Sequence, residues 1–262
     1  MPAPSVRDDL RRAVPLPPRV ERVVSLVPSL TESVARSAPG LLVGATDWCT
    51  EPRDLDVVRV GGTKNPDLGR IADLAPDVVI ASQTENRTAD LEALRDSGLA
   101  VWVTRPTSLD EALASLHRML TVALRLPRPA WLDDVVRVWS EPALPLARTV
   151  VVPIWRKPWM FVGGRTFGGD VLARLGCANA LAAHAEEWPK LALADLPAFD
   201  AVVLPDEPYA FSADDGPDAF VGAPCAVVSG RHLFWDGPSL IDARAVLLDQ
   251  LRLLDQSRDL GS

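Results

Sequence analysis

The sequence predicts an α/β protein with two successive lobes, each a mostly parallel sheet with helices on both faces. Three observations carry this expectation. Short apolar runs alternate with helix-period segments through residues 20–126, the pattern of crossover helices laid over a parallel sheet. A proline-bounded helical segment, Trp131 to Ser140, then interrupts the alternation, which restarts at Thr149. A chain of 262 residues is long enough for two lobes of roughly 100 to 130 residues, each with its own core.

Val20 to Val27 reads as a buried strand, and Ser29, Leu30, Thr31 and Glu32 have the spacing of a capping box opening a helix that ends near Gly40. Leu41 to Ala45 reads as a strand, Pro66 to Leu74 as a helix and Asp77 to Ala81 as a strand. Thr84 to Ser97 follows as a helix closed by Gly98, and Leu99 to Thr104 as a strand. Ser108 to Glu111 is a second capping box; its helix runs to about Leu126, where Pro127 and Pro129 stop it. After Trp131 to Ser140 come the strand Thr149 to Ile154, a helix from Gly169 to Leu175 capped by Gly176, strands Ala201 to Leu204 and Ala226 to Ser229, and a closing helix from Ser239 to Leu254. Leu247, Leu248, Leu251 and Leu254 share one face of that helix and belong to a core. The division expected is an N-terminal extension over 1–19, a lobe over 20–126, a connecting helix within 127–147 and a second lobe over 148–262.

Composition excludes several classes. Apolar residues make up 48% and charged residues 24%, a globular balance rather than a disordered one. The 35 acidic against 27 basic residues give a net charge of -8, which opposes phosphate neutralisation and argues against nucleic acid. Cys49, Cys177 and Cys225 are odd in number and lack C-x-x-C spacing, so neither a disulfide framework nor a zinc knuckle is expected. No apolar run reaches the roughly 18 residues of a membrane-spanning helix. Residues 1–20 carry Arg7, Asp8, Asp9, Arg11 and Arg12 and lack a secretory apolar run. The expected location is therefore cytoplasmic, the alternative being periplasmic or extracellular after removal of a signal.

Ligands of open α/β sheets bind outside the carboxyl ends of the strands, and aromatic residues collect in the segments that follow the expected strands. Trp48, Trp155, Trp159, Trp188 and Trp235 all fall in expected loops, where stacking on a flat ligand competes with packing as a lid on the lobe. Gly163 to Asp170 has the glycines of a phosphate loop but lacks its Lys-Ser/Thr pair. Glycine there is expected to permit close approach to a ligand or the other lobe. No nucleophile elbow or zinc-protease motif is present, so no catalytic residue is assigned and no enzyme is expected. His117 on its helix is read as structural, and His184 beside Glu186 and Glu187 as a solvated loop in preference to a metal site.

Several segments, taken in order, resemble one known family. Arg22 to Glu32 (RVVSLVPSLTE), Val43 to Pro52 (VGATDWCTEP), Asn65 to Ile71 with Leu74 to Ile80, the Gly-Gly-Asp helix start at 168–170, Trp188-Pro189, Leu204 to Tyr209 and Trp235 to Pro238 are similar to the cobalamin-binding branch of the helical-backbone metal receptors. These are class III periplasmic substrate-binding proteins that serve ABC importers. The resemblance covers most of the chain and implies two Rossmann-like lobes joined by a connecting helix, with a corrinoid or iron-siderophore-like chelate held between aromatic walls. It implies ligand-facing roles for Trp48 and Trp188 and places Pro28, Ser29, Phe167, Phe234 and Trp235 at the rim, while Lys64, Arg165 and Asp236 are the polar groups expected to orient the ligand. No metal ligand and no covalent cofactor are expected; the ligand is cobalamin or another metal chelate.

The sequence departs from the family in three places. Two glutamates that dock on the permease fall at Gly69 and Ala194, with Asp67, Asp73 and Asp195 nearby, and two aromatic ligand positions appear as Thr63 and Ser82. The connecting helix spans only about 15 Å at its expected length. The function expected is chelate binding in the cytosol, with an exported importer receptor, or an enzyme or interaction module reusing the cleft, as alternatives.

Overall fold

A computed structural model describes residues 6–145 and 147–256. The chain divides into two compact units. The first comprises residues up to Pro106, Asp110–Asp134 and the short return Asp236–Pro238; the second comprises Thr107–Leu109, Val135–Trp235 and the chain from Ser239 on.

In the first unit five strands form one sheet: β1 (Val23–Ser25), β2 (Leu42–Ala45), β3 (Val58–Arg59), β4 (Val78–Ser82) and β5 (Val101–Thr104). The order is β3-β2-β1-β4-β5 and every pairing is parallel. Reversal of strand order beside β1 makes it the switch point of the sheet, and all carboxyl ends lie along one edge. Every residue of β4 and of the edge strand β5 is buried, as expected of parallel strands covered on both faces. Val24, Leu26, Val79, Ala81, Val101 and Val103 pack with Ile71, Leu91 and Leu94 from α2 (Leu68–Asp73) and α3 (Thr88–Asp96).

Helix α1 (Pro28–Ser37) starts with proline at its first turn, after Val27 in extended conformation and without a side-chain cap. The expected capping box does not form: Ser29 lies inside the helix, where its hydroxyl is free to bond elsewhere. Proline fits that position because its missing N–H would be unpaired there anyway. Helix α4 (Leu109–Arg118) continues into a π turn, Met119–Ala123, where the Leu124 N–H reaches the Met119 carbonyl at 2.9 Å. Arg125, at φ 56°, ends it in a left-handed conformation, and Pro127 prevents continuation.

The N-terminal segment is fastened to this unit by its acidic residues. Val6–Arg7 pairs with Ala13–Val14. Between them the buried Asp8 accepts from the Arg12 N–H at 2.9 Å, and Asp9 accepts from Arg118 at 2.8 Å and from the Arg105 N–H at 3.1 Å. The charges that argue against a leader are thus structural anchors.

The chain passes to the second unit within α5 (Ala130–Trp139). The Trp131 indole donates to Ser37 Oγ at 2.9 Å in the first unit, and Trp139 to the Leu240 carbonyl at 2.9 Å in the second. The second sheet contains β6 (Arg148–Val151), β7 (Cys177–Asn179), β8 (Ala201–Pro205) and β9 (Cys225–Val228), ordered β7-β6-β8-β9 and wholly parallel. Helices α6 (Phe167–Arg174), α7 (Gly230–Phe234) and α8 (Leu240–Leu251) complete it. Leu247, Leu251 and Leu254 are buried as their spacing predicts, and Leu248 is half-buried.

The expected strand Thr149 to Ile154 is two elements, because the chain leaves the sheet after Val151 and enters a hairpin, Pro153–Arg156 against Trp159–Phe161. Trp155 and Trp159 are therefore strand residues and not loop residues. Trp159 joins a core cluster, with ring centroids 6.1 Å from Phe161, 6.2 Å from Phe211 and 5.5 Å from Phe220. Trp155 meets the edge of Tyr209 at 5.6 Å. Among the described residues no helix is long and apolar enough to cross a membrane.

Candidate functional site

The carboxyl edge of the first sheet gathers Pro28 and Ser29 after β1, Trp48 after β2, Lys64 after β3 and Glu85 after β4. Trp48 is 66% exposed, on a turn that is otherwise pinned. Beneath it Cys49 is fully buried, accepting from Thr31 Oγ1 at 3.0 Å and lying 3.1 Å from Thr46 Oγ1. Arg59 donates to the carbonyls of Thr46 at 3.0 Å and Cys49 at 2.9 Å. Burial pushes the Cys49 thiol above its ordinary pKa, so it serves as a packed hydrogen-bonding group and not as a thiolate.

Asp236 completes the polar part of this edge. Ser29 Oγ donates to Asp236 Oδ1 at 2.6 Å, and Gly237 allows the segment to close on α1: a Cβ there would lie 3.0 Å from the Ser29 carbonyl oxygen and from Ser33 Oγ. Burial pushes the Asp236 carboxyl up to about 7, against the lowering effect of the Ser29 bond, and the negative charge of Glu85 adds to the rise. Lys64 Nζ donates to the Thr84 carbonyl at 2.7 Å. Desolvation lowers the Lys64 ammonium and raises the Glu85 carboxyl, each partly offset by the other's charge.

One residue that frames this edge was absent from the expected set. Asn86 is buried and bonds three separate segments: its amide donates to the carbonyls of Leu26 at 3.3 Å and Thr63 at 2.9 Å, and its Oδ1 accepts from the Ser82 N–H at 2.9 Å. It ties the ends of β1 and β4 to the segment before Lys64. Its only sequence signal is an asparagine in an expected helix start, a common surface choice.

The second unit presents its own set at the carboxyl edge of its sheet. Residues 161–164 run against 186–189, through N–H to carbonyl bonds from Phe161 to Pro189 at 3.0 Å, Gly163 to Glu187 at 2.8 Å and Gly164 to Glu186 at 3.3 Å. A Cβ on Gly163 would fall 2.1 Å from the Glu186 oxygen, and one on Gly164 2.3 Å from that of His184. These glycines thus admit the unit's own loop, correcting the expectation of a ligand or the other lobe. The ladder holds Trp188 half-buried against Phe234, with centroids 6.5 Å apart and edge-on. Phe234 in turn lies over Gly168, where a Cβ would meet its ring at 2.6 Å.

Arg231 sits 5.3 Å over the Trp235 ring. Phe167 is only 9% exposed and serves mainly as packing under this group, while Arg165 is exposed at φ 53°. His184 Nδ1 is engaged, accepting from the Glu186 N–H at 3.0 Å, and among the described residues no group of three potential ligands stands together to hold a metal.

Ser29, Trp48, Lys64 and Asp236 thus share one edge of the first unit, and Phe167, Trp188, Phe234 and Trp235 one region of the second. Each unit is a parallel sheet with its polar and aromatic groups beyond the strand ends, the architecture of a substrate-binding protein of the class III, helical-backbone metal receptor type. The resemblance read from the sequence motifs is borne out. A curated relative, the vitamin B12-binding protein of Vibrio parahaemolyticus, is 24% identical over 207 residues, covering 75% of this chain and 74% of that protein.

The same fold occurs in the periplasmic vitamin B12 binding protein BtuF of Vibrio cholerae, with a TM-score of 0.66 at 17% identity over 90% of this chain and 98% of that one. It occurs again in the periplasmic heme-binding protein RhuT of Roseiflexus sp., with a TM-score of 0.69 at 21% identity over 88% and 99%. No protein-family model matches. These similar proteins are binding proteins and not enzymes. The solved neighbours are periplasmic, which overturns the cytoplasmic expectation; that expectation rested on residues 1–20, whose acidic side chains prove to be anchors of the fold.

Proposed function

We propose that this chain is an exported substrate-binding protein that captures a flat metal chelate, a corrinoid in the first instance, and delivers it to an ABC importer. The observation that carries the reading is Trp48, 66% exposed on a turn fixed from beneath, beside the polar group of Ser29, Lys64 and Asp236. An exposed indole offers its face to a planar ligand at little entropic cost, because the turn is already ordered. Trp188, Phe234 and Trp235 supply aromatic surface on the second unit, where Arg165 is an exposed cation. The vitamin B12-binding relatives favour a corrinoid, and the heme-binding neighbours keep the class of ligand at planar metal chelates.

Binding needs no bond to be made or broken. Apolar faces remove water from the ligand, and a few polar groups set its orientation. Delivery to a permease would use acidic surface near Gly69 and Ala194, where Asp67, Asp73 and Asp195 are exposed. Asp67 already caps α2 by accepting from the Arg70 N–H at 2.9 Å, which leaves Asp73 and Asp195 as the better candidates. Titration with cobalamin, cobinamide and haem, followed by tryptophan fluorescence and calorimetry, tests the reading. Saturable quenching at micromolar or tighter affinity is expected with a corrinoid, and unchanged emission across the three ligands would overturn it.

A further inference from the structure

A groove of about 560 Å³ lies on the second unit beside the hairpin that follows β6, lined by Arg156, Lys157, Pro158, Trp159, Lys190 and Leu191. Its wall holds three cations and no carboxylate, in a chain whose net charge is -8. The sequence has only three lysines, and two of them, Lys157 and Lys190, stand here. Arg156 is engaged: it donates to Asp218 at 3.0 Å and to Asp215, and its guanidinium lies 5.6 Å over the Trp159 ring. The two lysines are exposed, and neither ammonium has a hydrogen bond or ion pair among the described residues. Glu187 and Asp195 flank Lys190 in sequence but lie outside the lining.

The backbone sets these lysines around an apolar floor. Lys157 is in the hairpin turn, two residues before Trp159, and Lys190 stands across an antiparallel bridge from Met160, the residue after it. Trp159 is half-buried, and its ring is held by Phe161 and Phe211 at 6.1 and 6.2 Å, so the surface it leaves open is already ordered for a partner. Pro158 and Leu191 extend the floor. A groove open enough to leave both lysines in water suits a chain segment better than a small ligand, which needs most of its surface enclosed. Each ammonium has three donors on a flexible stem and accommodates carboxylates from many directions. We propose that this groove docks an extended acidic segment of a partner protein, with an apolar side chain on Trp159 and flanking carboxylates on Lys157 and Lys190. Alternate side chains of an extended segment fall on one face about 7 Å apart, so an acidic, apolar, acidic pattern at every second residue has the required form. Docking here uses none of the residues assigned to chelate binding, and failure to bind a corrinoid would leave it standing.

The test is selection of random dodecapeptides displayed on phage against the full-length protein, followed by anisotropy titration of the enriched peptides. These are expected to carry at least two carboxylates around an apolar residue, to bind at roughly micromolar affinity and to weaken at about 0.5 M salt. The double variant Lys157→Glu, Lys190→Glu should melt as the parent does and weaken the peptides at least about ten-fold; Lys157→Ala, Lys190→Ala should weaken them by a smaller factor. The control Arg19→Glu, Arg53→Glu changes the net charge equally at two exposed positions of the first unit and should leave peptide binding within about two-fold. No enrichment, enrichment without acidic residues, or acidic peptides that bind the glutamate variant as well as the parent overturns the proposal. So does an equal loss in the control, which would make binding a matter of net charge alone. Phosphatidylglycerol vesicles that bind through Lys157 and Lys190 while no peptide does would overturn it in favour of an anionic lipid surface.

Discussion

Replacing Asp236 by asparagine should stabilise the protein at alkaline pH and leave it nearly unchanged at acid pH. The folded protein raises this carboxyl from its ordinary 3.8 to about 7. Between these values the folded state holds a proton that the unfolded chain has released, so stability falls as pH rises from about 4 to 7 and is level above. At about 1.4 kcal/mol per pKa unit the full loss is on the order of 4 kcal/mol, an upper bound, since local opening or water entry would relieve part of it. Asparagine cannot ionise, keeps an oxygen to accept from Ser29, and has almost the same shape. Other carboxyls titrate in both proteins, so the informative quantity is the difference in melting temperature between variant and parent across pH 5 to 8.5. With about 2 cal/mol/K per residue of unfolding entropy, the variant should gain up to about 7 °C at pH 8 if the chain melts as one unit, with little change at pH 5. A difference that stays flat with pH would refute the assignment of a desolvated carboxyl, only partly offset by Ser29, to this position.

Three further outcomes follow from the geometry. Trp48→Ala should leave melting within about 0.5 kcal/mol, because the side chain is exposed, while weakening chelate binding by roughly 1 to 3 kcal/mol in a calorimetric titration; unchanged affinity would make the indole a bystander. Asn86→Ala leaves the Leu26 and Thr63 carbonyls and the Ser82 N–H without their partner and should cost roughly 2 to 4 kcal/mol in denaturant unfolding, whereas a loss below about 1 kcal/mol would show that water replaces the amide. Gly163→Ala forces a Cβ to 2.1 Å from the Glu186 oxygen, a backbone atom on a paired segment, and should destabilise by at least about 3 kcal/mol; a normal melt and unchanged fluorescence of Trp188 would contradict the packing described.

The sheet strands and long helices are legible in the sequence because both depend on local patterning. Runs such as residues 78–82 and 101–104 are buried on both faces and read as continuous apolar stretches, and the long helices carry period-3.6 apolar faces. What escapes sequence reading depends on distant partners. The two-residue strand β3 has too short a signal to register. Ser29 and Glu32 have the spacing of a capping box, yet Pro28 takes the first turn and the serine is claimed by a residue more than two hundred positions away. Gly163 and Gly164 resemble a ligand loop because the demand for a missing Cβ is the same whether a ligand or the chain's own carbonyl approaches.

The tryptophans show why candidate residues cannot be ranked by type alone. Trp155, Trp159, Trp188, Trp235 and Trp48 all read as loop residues in the sequence and all suggest stacking. Trp159 is consumed by three phenylalanine neighbours, which lie far ahead of it in sequence at Phe211 and Phe220 and near it at Phe161. Trp155 keeps 43% exposure yet has its indole N–H bonded to the Lys157 carbonyl at 3.2 Å and its ring against Tyr209, so it braces a hairpin. Trp235 carries Arg231 over one face. Trp48 differs because the bonds that hold its turn run through the backbone and the side chains of Thr31, Thr46, Cys49 and Arg59, while its own indole stays 66% exposed. An exposed aromatic whose removal would disturb none of the bonds that hold its own loop is a residue that folding alone does not explain, and the ligand contact proposed above offers a reason for it.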